Sequence, residues 1–414
     1  MKVQTLKGSP RTIQTLRGFR DFLPEEARKR DWLKNKLIKY TEAWGYEPME
    51  TPTLEPLELF AGEIGEDEKL FFSFTDKGGR KVALRYDQTV PTCRVIGQYF
   101  DKLIFPFRRY QIQPAYRAEK PQKGRYREFL QFDIDIFGIK SPLADAEVIA
   151  CNIDIYQKLG FKNVRILINN RDLMKGFPYE VLVAIDKLRK IGVDGVIEDM
   201  QNKGIAKNKA QEYLNFVNNL KPDETLKLIF NYLKESGFRE ENFSFTPTLA
   251  RSFSYSQGPI WEIVIPEYTA GSVGGGERYD DMLKRITGKD IAGTGIALGF
   301  DRTLEALELS KLLPADLSGI KILVTVFEPT LWNQTVKISS QLRKAGVVTE
   351  LYPDPNIKLE KQLKYADRKG IPYVLIQGPE EAAKNVVILK NMETGNQEEL
   401  TIEEVIKKLS SKGI

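Results

Sequence analysis

Arg117 and Glu119 stand at the end of an alternating apolar run, and Arg302 follows Asp301 where a helical pattern begins far downstream. A guanidinium on a rigid strand presents a planar fork of donors that clamps a phosphate, and a second one can stack on a purine. Taken singly, each is more often a surface ion pair; the neighbourhood reverses that balance. Between Arg108 and Glu128 there are seven Lys/Arg against two Asp/Glu. Few structural needs demand so many cations in one turn, whereas a phosphate-bearing partner does. The chain contains no histidine, which excludes histidine nucleophile triads, a histidine general base and histidine-ligated metals. A reaction must then run on positioned charge, carboxylates, hydroxyls or Mg²⁺.

These residues need a scaffold, and the pattern supplies one. The stretch Phe107–Gly138 reads as a long hairpin: an alternating strand, a loop with Lys120, Pro121, Lys123, Gly124, Arg125 and Arg127, then a second strand from Phe129. Upstream, Pro24–Trp44 carries Leu33, Leu37, Tyr40 and Trp44 at helical spacing, and short strand-like runs follow at Tyr46–Thr51, Phe71–Thr75 and Val82–Tyr86. Downstream come a helix over Ala144–Leu159 and a strand over Val164–Ile168. Met174–Arg239 is helical throughout, with breaks at Gly192, Gly195 and Gly204, and reads as an insertion between β-rich segments. Strands resume from Phe243, including Ile260–Ile265, and lead to a glycine-rich turn, Gly271–Gly276, and a last helix after Asp301. Pro314 and Gly319 mark a boundary near 315–320. Beyond it, alternating strands and helices over 320–414 predict a small, mostly parallel α/β domain.

At 414 residues, 42% hydrophobic and 29% charged, with net charge +5, the chain has the composition of a soluble protein of two or three domains. The two cysteines, Cys93 and Cys151, are far apart, so neither a disulfide framework nor a zinc site is expected, and no metal ligand set is assigned. No apolar run nears the roughly 18 residues that span a bilayer, and no signal-peptide core opens the chain, so no membrane association and a cytoplasmic location are expected. There is no GxxxxGK[ST]. The run Gly293–Gly299 only faintly matches a dinucleotide fingerprint; its glycines are expected to let a strand and a helix pack closely.

Six separated segments resemble one family. They are Arg17-Gly-Phe-Arg-Asp-Phe-Leu-Pro24, Leu84-Arg-Tyr-Asp-Gln-Thr-Val-Pro91, Tyr116-Arg-Ala-Glu-Lys-Pro-Gln-Lys-Gly-Arg-Tyr-Arg-Glu-Phe129, Ala184-Ile-Asp-Lys-Leu-Arg-Lys-Ile-Gly192, Glu277-Arg-Tyr-Asp280 and Gly299-Phe-Asp-Arg302. In order and spacing the chain is similar to histidyl-tRNA synthetases, class II aminoacyl-tRNA synthetases. The resemblance implies an α+β fold: an antiparallel sheet flanked by helices over 1–315, with a helical insertion at about 174–240 and a C-terminal α/β anticodon-binding domain over 320–414. It implies ATP and Mg²⁺ as cofactors, tRNA(His) and histidine as partners, and a homodimer formed through the motif containing Pro52.

By position, the resemblance implies that Arg117 holds the ATP α-phosphate and Glu119 meets the adenine amino group. Phe129 and Arg302 sandwich the purine, and Arg251 stabilises transition-state charge at the α-phosphate. Asp87, Thr89 and Gln131 hold the ammonium group, Asp135 receives the imidazole ring, and Tyr279 and Tyr255 line that pocket. The tip residues Lys120, Gln122, Lys123, Arg125 and Arg127 meet tRNA. The implied reaction is attack of the amino acid carboxylate on the α-phosphorus, release of pyrophosphate, and transfer of the acyl group to the terminal ribose of tRNA; neither step needs a protein nucleophile. One segment departs. The family reads R-G-L-D-Y-Y-T where this chain has Arg251-Ser-Phe-Ser-Tyr-Ser-Gln257. Ser256 replaces a tyrosine whose hydroxyl meets the imidazole, and Ser254 replaces an aspartate. Either the pocket is rebuilt around histidine, or its specificity or activity has changed. A non-catalytic relative, a histidine or tRNA sensor such as the regulatory subunit of ATP phosphoribosyltransferase, is the alternative; such relatives typically lack the terminal domain and the ATP-binding arginines.

Overall fold

The computed structural model describes residues 14–61, 70–120, 126–251, 256–314, 317 and 319–410. They fall into two compact units, Met1–Phe22 with Arg30–Leu313, and Leu23–Lys29 with Pro314–Ile414.

The first unit is built on an eight-stranded sheet. Its strands are β1 (Glu47–Pro48), β2 (Phe107–Tyr116), β3 (Glu128–Phe137), β4 (Arg165–Asn170), β5 (Phe243–Phe245), β6 (Gln257–Val264), β7 (Gly274–Arg278) and β8 (Gly293–Gly299). Their order is β1-β2-β3-β8-β7-β6-β4-β5. Only β1 with β2 and β4 with β5 pair in parallel. The hairpin β2–β3 keeps unbroken register from Phe107 opposite Phe137 to Tyr116 opposite Glu128. Alternation along β3 sorts its side chains by face. Phe132, Ile134 and Ile136 enter the main core with Trp261, Ile296 and Leu298, under helices Pro142–Lys158, Glu224–Glu235 and Phe300–Leu309. Burying each such side chain contributes about 1.5–3 kcal/mol. The opposite face carries Gln131, Asp133 and Asp135, and is closed at one end by a second cluster containing Val90, Ile96, Phe137, Tyr279 and Leu283.

Several expectations change. The glycine-rich stretch is a turn only at its start: Gly271 lies in the connection between β6 and β7 at φ +124, whereas Gly274, Gly275 and Gly276 lie in β7, paired on both sides. A Cβ there would come within 2.5 Å of Leu298, 1.6 Å of Arg251 and 2.2 Å of Trp261 respectively. Glycine is required by what neighbouring strands place there rather than by a reversal of the chain. The glycines of β8 serve mainly the open face. At Gly295 a Cβ would meet Asp135 at 1.9 Å; the expected strand–helix approach occurs at Gly293, where it would meet Leu283 at 2.4 Å, and more loosely at Gly299, where it would meet Arg302 at 3.4 Å. In the insertion, Gly192 breaks the helical geometry at φ 72, whereas Gly195 lies within helix Leu188–Asn202 without a break. The short helices Thr89–Gln98 and Asp280–Thr287 are additional to the expected elements.

The second unit has a five-stranded sheet in the order Thr349–Leu351, Ile322–Val324, Tyr373–Ile376, Val387–Asn391, Gln397–Leu400. It is half parallel rather than mostly parallel, because the last two pairings are antiparallel. The short Asn391–Gln397 connection can close a hairpin but not a parallel crossover. No described helix is long and apolar enough to cross a membrane.

Candidate active site

Two cavities lie on the open face of the large sheet. The larger, about 730 Å³, is lined by Arg117, Glu119, Lys120, Phe129 and Arg302, among others. The smaller, about 40 Å³, is lined by Asp87, Thr89, Asp135, Glu277 and Tyr279. Arg117, Gln131, Arg251, Gly275 and Ala297 line both. The expected nucleotide and amino acid residues that are described thus gather at one cleft. Tyr255 and the tip residues Gln122, Lys123 and Arg125 lie outside the described residues.

Arg117 leaves β2 with its guanidinium over Tyr86 at 4.2 Å and over Phe129 at 5.1 Å. Its Nε donates to the Tyr86 carbonyl at 3.3 Å. Two aromatic faces and a carbonyl therefore fix its direction. Arg302, at the start of helix Phe300–Leu309, donates to the Ser272 carbonyl at 2.8 Å. Its neighbour Asp301 anchors a different segment, accepting from Arg20 at 2.9 Å and Arg30 at 2.5 Å. Arg20 also stacks on Tyr126 at 3.2 Å. Arg127 donates to the carbonyls of Glu119 at 3.0 Å and Arg17 at 3.3 Å. The segment Arg17–Arg20 is thereby tied to the base of the hairpin loop.

The cation count at the hairpin needs correction. Arg109 is fully buried in mid-strand, 2.7 Å from Asp135 and 3.8 Å from Asp133. Arg108 forms a two-pronged pair with Glu147 at 2.6 and 2.9 Å. Both serve the fold, so five of the seven remain near the tip. Composition cannot separate a cation that pairs inward from one that faces a ligand.

In the smaller cavity, Asp135 Oδ1 accepts from the Tyr279 hydroxyl at 2.5 Å. Burial pushes the Asp135 carboxyl up, opposed by the Arg109 guanidinium. Burial also raises Asp133, to about 8, again against Arg109. Asp87 Oδ1 accepts from the Val90 N–H at 3.1 Å as helix Thr89–Gln98 begins, and burial raises its carboxyl too. Gln88 pins this turn to the hairpin by donating to the carbonyls of Gln113 at 2.8 Å and Gln131 at 3.0 Å.

Arg251 is the most constrained residue of the site. Its φ is +48, in the left-handed region that is uncommon for a residue with a Cβ. Its N–H donates to Asp186 at 2.8 Å, and Arg171 donates to its carbonyl and to that of Ala250, both at 2.7 Å. Its guanidinium lies against Gly275 and donates to Glu277 at 3.1 and 3.3 Å. Ser256 also hydrogen-bonds to Glu277. Asp186, Arg171, Gly275, Gly295 and Glu277 were not singled out as site residues from the sequence. Asp186 and Glu277 lie within segments that resemble the family, and Gly275 and Gly295 within the noted glycine runs; Arg171 left no signal. In the segment Glu277–Asp280, Arg278 is structural, pairing with Asp145 at 2.6 Å.

The chain is also similar to known proteins. A family model described as histidyl-tRNA synthetase matches residues 18–191, and one described as anticodon binding domain matches 321–412. A histidine–tRNA ligase of Christiangramia forsetii is 35% identical, the alignment covering 93% of this chain and 96% of that protein. The crystal structure of histidyl-tRNA synthetase from Nostoc sp. PCC 7120 superposes with TM-score 0.83 at 26% identity, over 98% of this chain and 100% of that one. A Bacillus halodurans C structure, described as an ATP phosphoribosyltransferase regulatory subunit/histidyl-tRNA synthetase, superposes with TM-score 0.72 over 86% of this chain and 97% of that one. At 20% identity, that last likeness is one of fold. Extended identity over nearly the whole length, together with both family models, places this chain in the histidyl-tRNA synthetase family.

Proposed function

We propose that the chain activates histidine with ATP and ligates it to tRNA(His) through a histidyl-adenylate. The observation that carries the reading is the pair of adjoining cavities with Arg117, Gln131 and Arg251 at their junction. A nucleotide in the larger cavity, its purine between Phe129 and Arg302 and its amino group toward Glu119, would bring its α-phosphate to that junction. An amino acid held by Asp87, Thr89 and Gln131, with its side chain toward Asp135 and Tyr279, would bring its carboxylate there from the other side. A carboxylate oxygen then bonds to the α-phosphorus as the bond to pyrophosphate breaks. Arg117 and Arg251 offset the charge that develops. The terminal ribose hydroxyl of tRNA next attacks the mixed anhydride, releasing AMP.

Mg²⁺ is compatible with this reading as an ion carried by the nucleotide, since it keeps waters and phosphate oxygens and needs only one or two carboxylates. With Glu119 assigned to the adenine amino group, the ion would be held by the nucleotide's phosphate oxygens and water. The loop residues Lys120, Gln122, Lys123, Arg125 and Arg127 are assigned to tRNA, and the active form to a cytoplasmic homodimer. The alternative, a non-catalytic regulatory subunit, draws support only from the fold likeness to the Bacillus halodurans chain. Against it stand the clustered Arg117, Arg251 and Arg302 and the terminal unit. Amino-acid-dependent ATP–pyrophosphate exchange tests the reading across the standard amino acids. Exchange with histidine is expected; none with any amino acid would refute an enzyme, and exchange with another alone would refute only the specificity.

A further inference from the structure

The register of the large sheet sets four residues side by side. Arg109 lies opposite Asp135, Asp135 opposite Gly295, and Gly295 opposite Glu277. Directly paired residues project from the same face. Asp135 and Glu277 therefore rise from one face with a bare glycine between them, and both line the smaller cavity. Any side chain at position 295 would fill that gap, since its Cβ would lie 1.9 Å from Asp135 Oδ1.

Resting on the proposed activation of histidine, we infer that Glu277 is the second wall of the side-chain pocket. The ring is held between two carboxylates, Asp135 at one nitrogen and Glu277 at the other. Two strand spacings put their backbones about 10 Å apart. Two N···O contacts of about 2.8 Å and about 2.2 Å between the ring nitrogens span about 8 Å, so each carboxylate needs to lean inward by about 1 Å. An ionised carboxylate only accepts hydrogen bonds, so the ligand must donate at both nitrogens, as an imidazolium does.

Three further observations support this assignment. Ser256 stands where the family has a phenol toward the ring, and its hydroxyl instead bonds to Glu277. The wall group is thus displaced from position 256 to position 277. The pairing of β7 with β6 shifts at this point, from Glu277 opposite Ile260 to Arg278 opposite Gln257, which places Ser256 beside the carboxylate. Asp135 Oδ2, though 2.7 Å from Arg109, has no aligned hydrogen-bond donor and so retains acceptor capacity. At about 40 Å³ the cavity holds about one water, so a bound ring requires a lining group to yield. The Glu277 carboxylate is suited to do so by turning, because its contacts to Arg251, at 3.1 and 3.3 Å, are longer than tight charge-assisted bonds.

The test compares histidine with 1,2,4-triazole-3-alanine, whose ring stays neutral and lacks the second donor, in ATP–pyrophosphate exchange. The unaltered protein should favour histidine in kcat/KM. Glu277→Gln should raise the KM for histidine about 10- to 100-fold, as loss of one charge-assisted hydrogen bond does. The preference over the analogue should fall by a similar factor, with kcat changed much less. Ser256→Ala, which only frees the carboxylate to turn, should reduce the preference about two- to tenfold. Equal losses for histidine and the analogue would overturn the proposal, placing Glu277 with Arg251 or the ammonium group. If Glu277→Gln fails to fold, an unchanged preference in Ser256→Ala overturns it. Absence of exchange by the unaltered protein would overturn the functional reading itself, a result distinct from either.

Discussion

Replacing Gly275 by alanine probes the role of Arg251 without removing a charged group. The added Cβ would lie 1.6 Å from Arg251 Nη1 and 2.6 Å from its Cζ. Carbon–heteroatom contact requires about 3.5 Å, so the guanidinium must move by about 2 Å. Gly275 has no left-handed φ, so its backbone accepts alanine. The obstructing atoms are the far end of a long side chain, and yielding costs the fold little. A displacement of about 1 Å from a productive geometry can cost about a hundredfold in rate. Gly275→Ala should therefore lower the kcat of histidine-dependent ATP–pyrophosphate exchange by about a hundredfold, about 2.7 kcal/mol in the barrier. The KM for ATP should change much less, because Phe129 and Arg302 are untouched. The unfolding midpoint should stay near that of the unaltered protein. Gly276→Ala serves as the contrast. One residue along the strand the Cβ points to the other face, 2.2 Å from the buried indole of Trp261. Overpacking there should cost about 1–3 kcal/mol of stability. An unchanged kcat in a folded Gly275→Ala protein would refute the placement of Arg251 against this strand as the active geometry.

Further outcomes follow from other contacts. Asp186→Ala removes the acceptor that holds the Arg251 N–H at 2.8 Å; kcat for exchange should fall about tenfold, Asp186→Asn should restore most of it, and equal loss in both would refute a hydrogen-bonding role. Burial raises Asp133 to about 8, so the folded protein keeps a proton that the unfolded chain has lost, and stability falls as pH rises from about 4 to about 8. Asp133→Asn should accordingly gain in unfolding midpoint on the unaltered protein between about pH 5 and about pH 8, and parallel midpoints over that interval would contradict the assignment. Neutralising Lys123 and Arg125 together should weaken tRNA charging while sparing pyrophosphate exchange; equal loss of both steps would assign the loop to ATP.

Much of the architecture was legible in the chain because its signals are local. The hairpin strands around Arg117 and Phe129 follow from alternation over Phe107–Gly138, and the strands match at Phe107–Tyr116 and Glu128–Phe137. The helical insertion and the terminal unit likewise follow from periodicity and turn residues. Short elements such as helix Thr89–Gln98 escaped because tertiary packing, rather than propensity, holds them.

Sequence alone determined the chemistry on offer: no histidine, clustered arginines, and carboxylates at a hairpin and at its distant partners. It could not say which of these meet. That Arg109 turns inward to Asp135 while Arg117 faces the cleft was decided by burial in the folded sheet. That Gly275 makes room for Arg251, and Gly295 opens the gap between Asp135 and Glu277, was decided by register among β3, β8 and β7. Asp135 and Glu277 are 142 positions apart in the chain (277 − 135), and no local pattern encodes their spacing. The pairing of strands brings them within two strand widths.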